Sequence, residues 1–161
     1  MAKPENMTVE ELDAVLTWSV VRVARYAGQR LADRLAAHDL TPIHFGALAH
    51  LAAVGEMSQA DLARSVLVRP QSITTLLDGL EERGLIQRTG DRTRGRRNPV
   101  RISADGILAL DEIRPIAQSA NDLTAEGLTL EESAELNRLL LKIIHTADGA
   151  HPKPTDELWR V

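Results

Sequence analysis

Apolar residues near the start of the chain recur at steps of three and four: Leu12, Leu16, Val20, Val23, Ala27, Leu31 and Leu35. That period puts them on one stripe of an α-helix about eight turns long. Thr8 and Glu11 stand just before the stripe in capping-box spacing. There the hydroxyl and the carboxylate each satisfy a free backbone N–H, so the helix is expected to start at Thr8. A stripe of this length needs a partner, because one helix cannot bury itself.

A second helix is expected over "PIHFGALAHLAAVG", with Pro42 in its first turn and Gly55 closing it. Ser58 and Asp61 again have N-cap spacing and head a third, short helix in "MSQADLARSV". The fourth is "RPQSITTLLDGLEERG", where the N–H missing from Pro70 costs nothing. Ile73, Leu76, Leu77 and Leu80 form its apolar face, and Gly84 suits the position just past its end. About four residues separate the third and fourth helices, which is helix-turn-helix spacing. "GLIQRTG" and "NPVRIS" are short, β-branched at apolar positions and separated by Gly and Asn, and they predict a two-stranded hairpin. Ser103 caps a further helix over residues 104–124. Thr129 and Glu132 form another capping box before "ESAELNRLLLKIIHTA", whose apolar face is Leu136, Leu139, Leu140, Ile143 and Ile144.

The expected architecture is mainly α with a small β-hairpin wing. A winged helix-turn-helix DNA-binding domain occupies residues 41–103. Dimerisation helices flank it at residues 8–40 and 104–148, because their apolar faces are too long for one monomer to cover. A C-terminal tail, residues 149–161, carries two prolines and is expected to be irregular, with Trp159 packing on something.

Composition narrows the function. At 161 residues the chain can bury roughly 70% of its unfolded surface, and 43% hydrophobic and 26% charged residues are ordinary for a soluble protein. There are no cysteines, which excludes disulfide scaffolds, thiolate metal sites and thiol redox sensing. His38, His44, His50, His145 and His151 never fall at the i, i+4 spacing of a helical metal pair, so no metal site is expected. The first residues lack an apolar signal segment, and no stretch reaches the roughly 18 apolar residues of a membrane span. A cytoplasmic protein without membrane partners is expected. Carboxylates lie at solvated positions with no nucleophile elbow, phosphate loop or His-acid grouping, so neither an enzyme nor a cofactor is expected.

The net charge of −4 conceals a segregation. Residues 83–103 hold seven Arg against one Asp, a local +6; residues 104–136 hold one Arg against eight acids, a local −7. The basic part centres on "RTGDRTRGRRNPVRIS", residues 88–103. Arg92, Arg94, Arg96 and Arg97 crowd its turn, where they repel one another and gain nothing from a core. By itself such a run is often a solvated loop. Immediately after a helix-turn-helix it points to double-stranded DNA, since guanidinium forks match phosphate oxygens and fit a narrow minor groove. Arg69, Gln71, Ser72, Thr74 and Thr75 occupy the leading turn of the fourth helix, the part that enters a major groove. Gln can pair with adenine and Thr methyls can meet thymine methyls; the alternative reading is a polar, solvated helix start.

Residues 40–106 also resemble the MarR family of transcriptional regulators, on "LTPIHFGALAHL" and "ADLARSVLVRPQSITTLLDGLEERGLIQRTGDRTRGRRNPVRIS". The most specific piece is "LEERGLIQR", followed by Asp91 and Arg96 in the wing and by "ISADG". The resemblance implies a homodimer with interleaved first and last helices on a pseudo-palindromic operator. It implies a minor-groove role for Arg96, with Arg94 as the substitute. Leu67 stands where the family usually has Gly in the turn, and Arg69 where it has a small hydroxyl residue. Thr93 and Arg94 replace the first Arg and second acid of the usual wing pattern, which puts its internal ion pair in doubt and adds positive charge.

The family commonly takes small, often anionic aromatic ligands. Trp18, Arg22 and Tyr26, at i, i+4 and i+8, could hold an aromatic carboxylate between two rings and a guanidinium, with His44 on the facing helix as a further candidate. The alternative is that the rings pack at an interface while Arg22 reaches to water; Phe45, beside His44, is expected in the core. The resulting expectation is a dimeric, sequence-specific regulator, a repressor released by a small aromatic, anionic effector. The alternative is a winged-helix protein-interaction module that no longer binds DNA.

Overall fold

The computed structural model describes residues 7–89 and 99–150, with side chains to residue 146. The chain divides into two compact units between Pro42 and Ile43.

In the first unit the expected single helix is two: α1, Val9–Asp13, and α2, Leu16–Leu35. Both halves of the Thr8–Glu11 capping box form, at 2.8 and 3.1 Å. The break falls at Val15, a β-branched residue of reduced helix preference, which is extended at φ −81°, ψ 94°. Asp13 and Arg22 pair across it at 3.0 Å. Nine residues span about 13 Å along a straight helix, so the pair forms because the chain bends here. Leu16, Val20 and Val23 of the expected stripe are exposed on α2. A 3₁₀ turn, Ala36–His38, follows, and Asp39 ends it in the left-handed region at φ 53°.

The second unit continues with α3, Pro42–Val54, which Gly55 ends at φ +93°. Next come β1, Glu56–Ser58; α4, Gln59–Ser65; α5, Pro70–Glu82; β2, Ile86–Arg88; and β3, Pro99–Ile102. The hairpin expected from the sequence is the β2–β3 pair, and β1 adds a third antiparallel strand on its other side, giving the order β1-β3-β2. Three residues with Met57 as their only apolar member carry no strand signal of their own. They become a strand because Met57 comes opposite Val100 and Glu56 opposite Arg101.

Helix α6, Ala104–Ser119, is five residues shorter than expected. The carboxylate of Asp122 accepts from the backbone N–H and the hydroxyl of Thr124, at 3.0 and 2.6 Å. That local bonding competes with the helical ladder and starts a 3₁₀ turn, Thr124–Glu126, instead. Helix α7, Leu130–Ala150, begins at the expected Thr129–Glu132 capping box. It takes in two residues assigned to the tail; the rest of the tail lies outside the described residues.

The core of this unit gathers Leu48 and Leu51 of α3, Leu62 of α4, and Ile73, Leu77 and Leu80 of α5. Ile86 and Val100 of the sheet and Leu110 and Ile113 of α6 complete it, all at most 3% exposed. Each such side chain contributes roughly 1.5–3 kcal/mol by leaving water. This is enough to fix α4, α5 and the sheet as one scaffold.

Candidate nucleic-acid interface

The interface begins with the turn between α4 and α5. Ser58 caps α4, its hydroxyl accepting from the Asp61 N–H at 3.1 Å, and Asp61 in turn pairs with Arg64. At the other end Val66 donates to the Leu62 carbonyl, Leu67 to that of Arg64 and Val68 to that of Ala63, at 3.0, 3.2 and 3.0 Å. Leu67 sits in the left-handed region at φ 54°, which a glycine adopts freely and a leucine only with strain. Arg69 precedes a proline, which disfavours helical angles, and it is extended at φ −66°, ψ 147°. It forms no side-chain cap, and Pro70 next to it has no N–H needing one. Ser72 and Ile73 close the first turn on the Arg69 carbonyl, at 3.0 and 3.2 Å.

Helix α5 is thereby divided lengthwise. Ile73, Leu77 and Leu80 are buried, while Gln71, Ser72, Thr74 and Thr75 are exposed at its leading end, as is Arg69 just before it. Arg92, Arg94, Arg96 and Arg97, the remaining expected DNA contacts, lie outside the described residues. The strands leading to them are fixed. Thr89 continues the pairing by donating its N–H to the Pro99 carbonyl at 3.0 Å, and its hydroxyl reaches Glu56 at 3.3 Å.

Two arginines of the basic stretch, outside its turn, are held by partners within the fold. Arg101 projects from β3 and donates through Nε and Nη2 to Oε1 of Gln87, at 3.1 and 2.9 Å. Arg88 turns inward, its side chain only 10% exposed, and pairs with Asp78 and Glu81 of α5 at 2.6 and 2.9 Å. Sequence reasoning missed this contact. Its signal was an acid pair at i, i+3 on the last helix face before the Gly84 turn, with an arginine on the strand that returns beside it.

Of the expected effector residues, two share a groove. Arg22 and Tyr26, with Ser19 and Val23, line an open groove of about 440 Å³ on α2. Trp18 is 40% exposed and is not part of that lining. Arg22 there already carries Asp13 as a counter-ion. His44 belongs to the second unit. Burial, and then the positive charge of Arg83, hold its pKa below the usual value, which favours the neutral imidazole. Phe45, expected in the core, is instead half-buried. It lines a hollow of about 290 Å³ with Ala49, Ala52, Ala53, Leu110 and Arg114, where the small alanines leave space beside the ring.

Among the described residues no three His, Asp or Glu side chains group as metal ligands. No helix among them is long and apolar enough to cross a membrane.

A capped helix, a tight turn, a second helix with a polar leading end and a sheet extending from its base define a winged helix-turn-helix regulator of transcription. A model of the MarR family matches residues 38–97. The chain is 30% identical over 111 residues to the HTH-type transcriptional repressor NicR of Pseudomonas putida, covering 69% of this chain and 70% of that protein. It is 28% identical over 131 residues to the HTH-type transcriptional repressor Rv2887 of Mycobacterium tuberculosis, covering 81% and 94%. The crystal structure of Rv2887 in complex with salicylic acid matches with a TM-score of 0.66 at 27% identity, over 80% of this chain and 95% of that one. The chain belongs to the MarR family.

Proposed function

We propose that the protein is a homodimeric repressor that reads a pseudo-palindromic operator through α5 and grips its backbone through the wing. The observation that carries this reading is the lengthwise division of α5: an apolar face anchored in the core, and Gln71, Ser72, Thr74 and Thr75 presented together at the leading end. A helix held in this way can bring amide and hydroxyl groups to base edges without losing its packing. Arg69 adds a cation beside that end. Arg92, Arg94, Arg96 and Arg97 supply guanidinium groups for phosphates and the minor groove, where each neutralised phosphate releases counterions. Residues 41–103 form the DNA-binding domain in this reading.

The flanking segments, residues 8–40 and 104–148, serve dimerisation. Exposed Leu16, Val20 and Val23 on α2, and Leu139, Ile143 and Ile144 on α7, support this role, since apolar surface on that scale favours burial against a second copy. A two-fold dimer sets its reading helices about one DNA turn, roughly 34 Å, apart.

A small aromatic anion is the proposed releasing effector. Rv2887 binds salicylic acid in its crystal structure, and in this chain Arg22 and Tyr26 share a groove able to offer a ring and a cation. Trp18 and His44 are retained as further candidates of this reading. The protein acts in the cytoplasm, where its DNA is, and by binding rather than catalysis.

The test is fluorescence anisotropy on duplex DNA from upstream of the protein's own coding region, with mixed-sequence duplex as competitor and salicylate added in a second series. The reading expects tight binding that falls by roughly 10³ to 10⁵ between 50 and 200 mM salt, and release by the aromatic acid. Absence of binding to any duplex in dilute buffer overturns it.

A further inference from the structure

At the base of the wing, Arg88 of β2 reaches across to α5 and meets three acceptors on one helix face. Its Nη1 donates to Oδ1 of Asp78 at 2.6 Å and to Oε2 of Glu81 at 2.9 Å, and its Nη2 to the backbone carbonyl of Thr74 at 3.3 Å. Its backbone N–H adds a fourth contact, to Oε1 of Glu81 at 3.3 Å. Arg88 also lies opposite Val100 in the strand pairing. One residue therefore joins the hairpin to the helix along about two turns.

We propose that Arg88 is a positioning residue that locks the wing to the reading helix, so that both meet DNA as one rigid body. The proposal rests on the DNA-binding function argued above. Three features separate a lock from an ordinary ion pair. First, the two carboxylates keep much of their contact with water, Asp78 being 50% and Glu81 34% exposed, so screening leaves the pairs a modest stabilising role. Second, Nε of Arg88 is buried without a hydrogen-bond partner, an arrangement poor for stability alone. Third, acids on a helix that faces a polyanion oppose binding unless they hold something in place. The planar guanidinium fork can serve several acceptors at fixed angles, which the single ammonium of a lysine cannot.

The clamp makes an unusual demand. Arg88 would touch no phosphate, yet its loss should remove the benefit of several wing arginines at once. Likewise, replacing Asp78 and Glu81 by neutral amides removes negative charge near DNA and should tighten binding on electrostatics alone, but the clamp requires it to weaken.

The experiment measures the affinity of the dimer, across a salt series, for a duplex that the wild-type protein selects from a random-sequence pool. The proteins compared are wild type, Arg88→Met and the Asp78→Asn/Glu81→Gln double variant. Arg88→Met is expected to weaken binding about tenfold or more and to lower the salt slope by about 2 or more, against about 0.9 for one lost phosphate contact. The double variant, which preserves side-chain shape, is expected to weaken binding in the same direction and decides the matter if Arg88→Met does not fold. A slope change of about 0.9 makes Arg88 a simple phosphate contact and overturns the proposal. So does tighter binding by the double variant, or unchanged affinity in both proteins. If the wild-type protein selects no duplex at all, it is the DNA-binding reading that fails.

Discussion

Gly106 lies so close to the backbone of Leu85 that a Cβ on it would stand 2.0 Å from the Leu85 carbonyl oxygen and 2.7 Å from Cγ1 of Ile102. This contact seats the start of α6 against the residue that leads into β2 and against Ile102 at the end of β3. Ser103 reinforces it by donating to the Gly84 carbonyl at 2.5 Å and accepting from the Gly106 N–H at 2.9 Å. The Leu85 carbonyl, which accepts from the Ser103 N–H at 3.1 Å, cannot swing away as a side-chain tip can. Gly106→Ala should therefore displace α6 and destabilise the protein by about 1–3 kcal/mol or more. Urea unfolding at fixed protein concentration checks this, and a midpoint equal to wild type would show that the two elements separate easily.

Leu67 suggests a change in the opposite direction. It is held at φ 54° and is 66% exposed, so it bears the strain of a left-handed conformation with little burial in return. Leu67→Gly should remove about 1 kcal/mol of strain, reduced by the greater freedom glycine has when unfolded. A higher melting temperature with DNA affinity intact is the expected result. A lower one would mean that the leucine side chain contributes packing that outweighs its backbone.

His44 makes stability depend on pH. Its folded pKa lies below its unfolded value of about 6.5, through burial first and the charge of Arg83 second. The unfolded chain therefore binds the proton more readily, and stability rises with pH across the interval between the two values. The contribution is fully present above about pH 6.5 and is lost as pH falls through the folded pKa. Urea midpoints at pH 7.5, 6.5 and 5.5 should fall more steeply for wild type than for His44→Gln, which has no proton to take up. Parallel curves would assign the acid sensitivity to other groups.

The sequence disclosed features whose causes are local. Ser58, Ser103 and Thr129 cap their helices through N–H groups three residues on, and Pro42, Gly55 and Gly84 mark boundaries through their own dihedral limits. Helix-turn-helix and hairpin could therefore be read in order from spacing alone. What stayed hidden depends on partners distant in the chain. Strand β1 exists because Glu56 comes opposite Arg101. The bend at Val15 leaves no mark in a stripe of three- and four-residue steps, which continues through it. In the candidate site, the exposed end of α5 followed from its apolar period. Arg88 did not, because charge along a chain does not reveal which arginines face acids and which face water. The groove residues were the least legible, since Trp18 and Tyr26 share a helical spacing but only Tyr26 lines the hollow.

The division of labour between helix and wing can be tested with two substitutions. Gln71 is exposed on the leading end of α5, where its amide can donate to and accept from one base edge. Gln71→Ala should remove about 1–3 kcal/mol of discrimination at particular base pairs, a change of roughly 10- to 100-fold there and little elsewhere. Arg96→Ala acts on phosphate or groove potential that all sequences share. It should weaken every duplex by a similar factor and lower the salt slope by about 0.9. Binding of each variant to a panel of operators carrying single base-pair changes separates the two patterns. If Gln71→Ala weakens all duplexes alike, its amide meets the backbone rather than a base, and sequence reading must lie with its neighbours Ser72, Thr74 and Thr75 or with the deformability of the DNA itself.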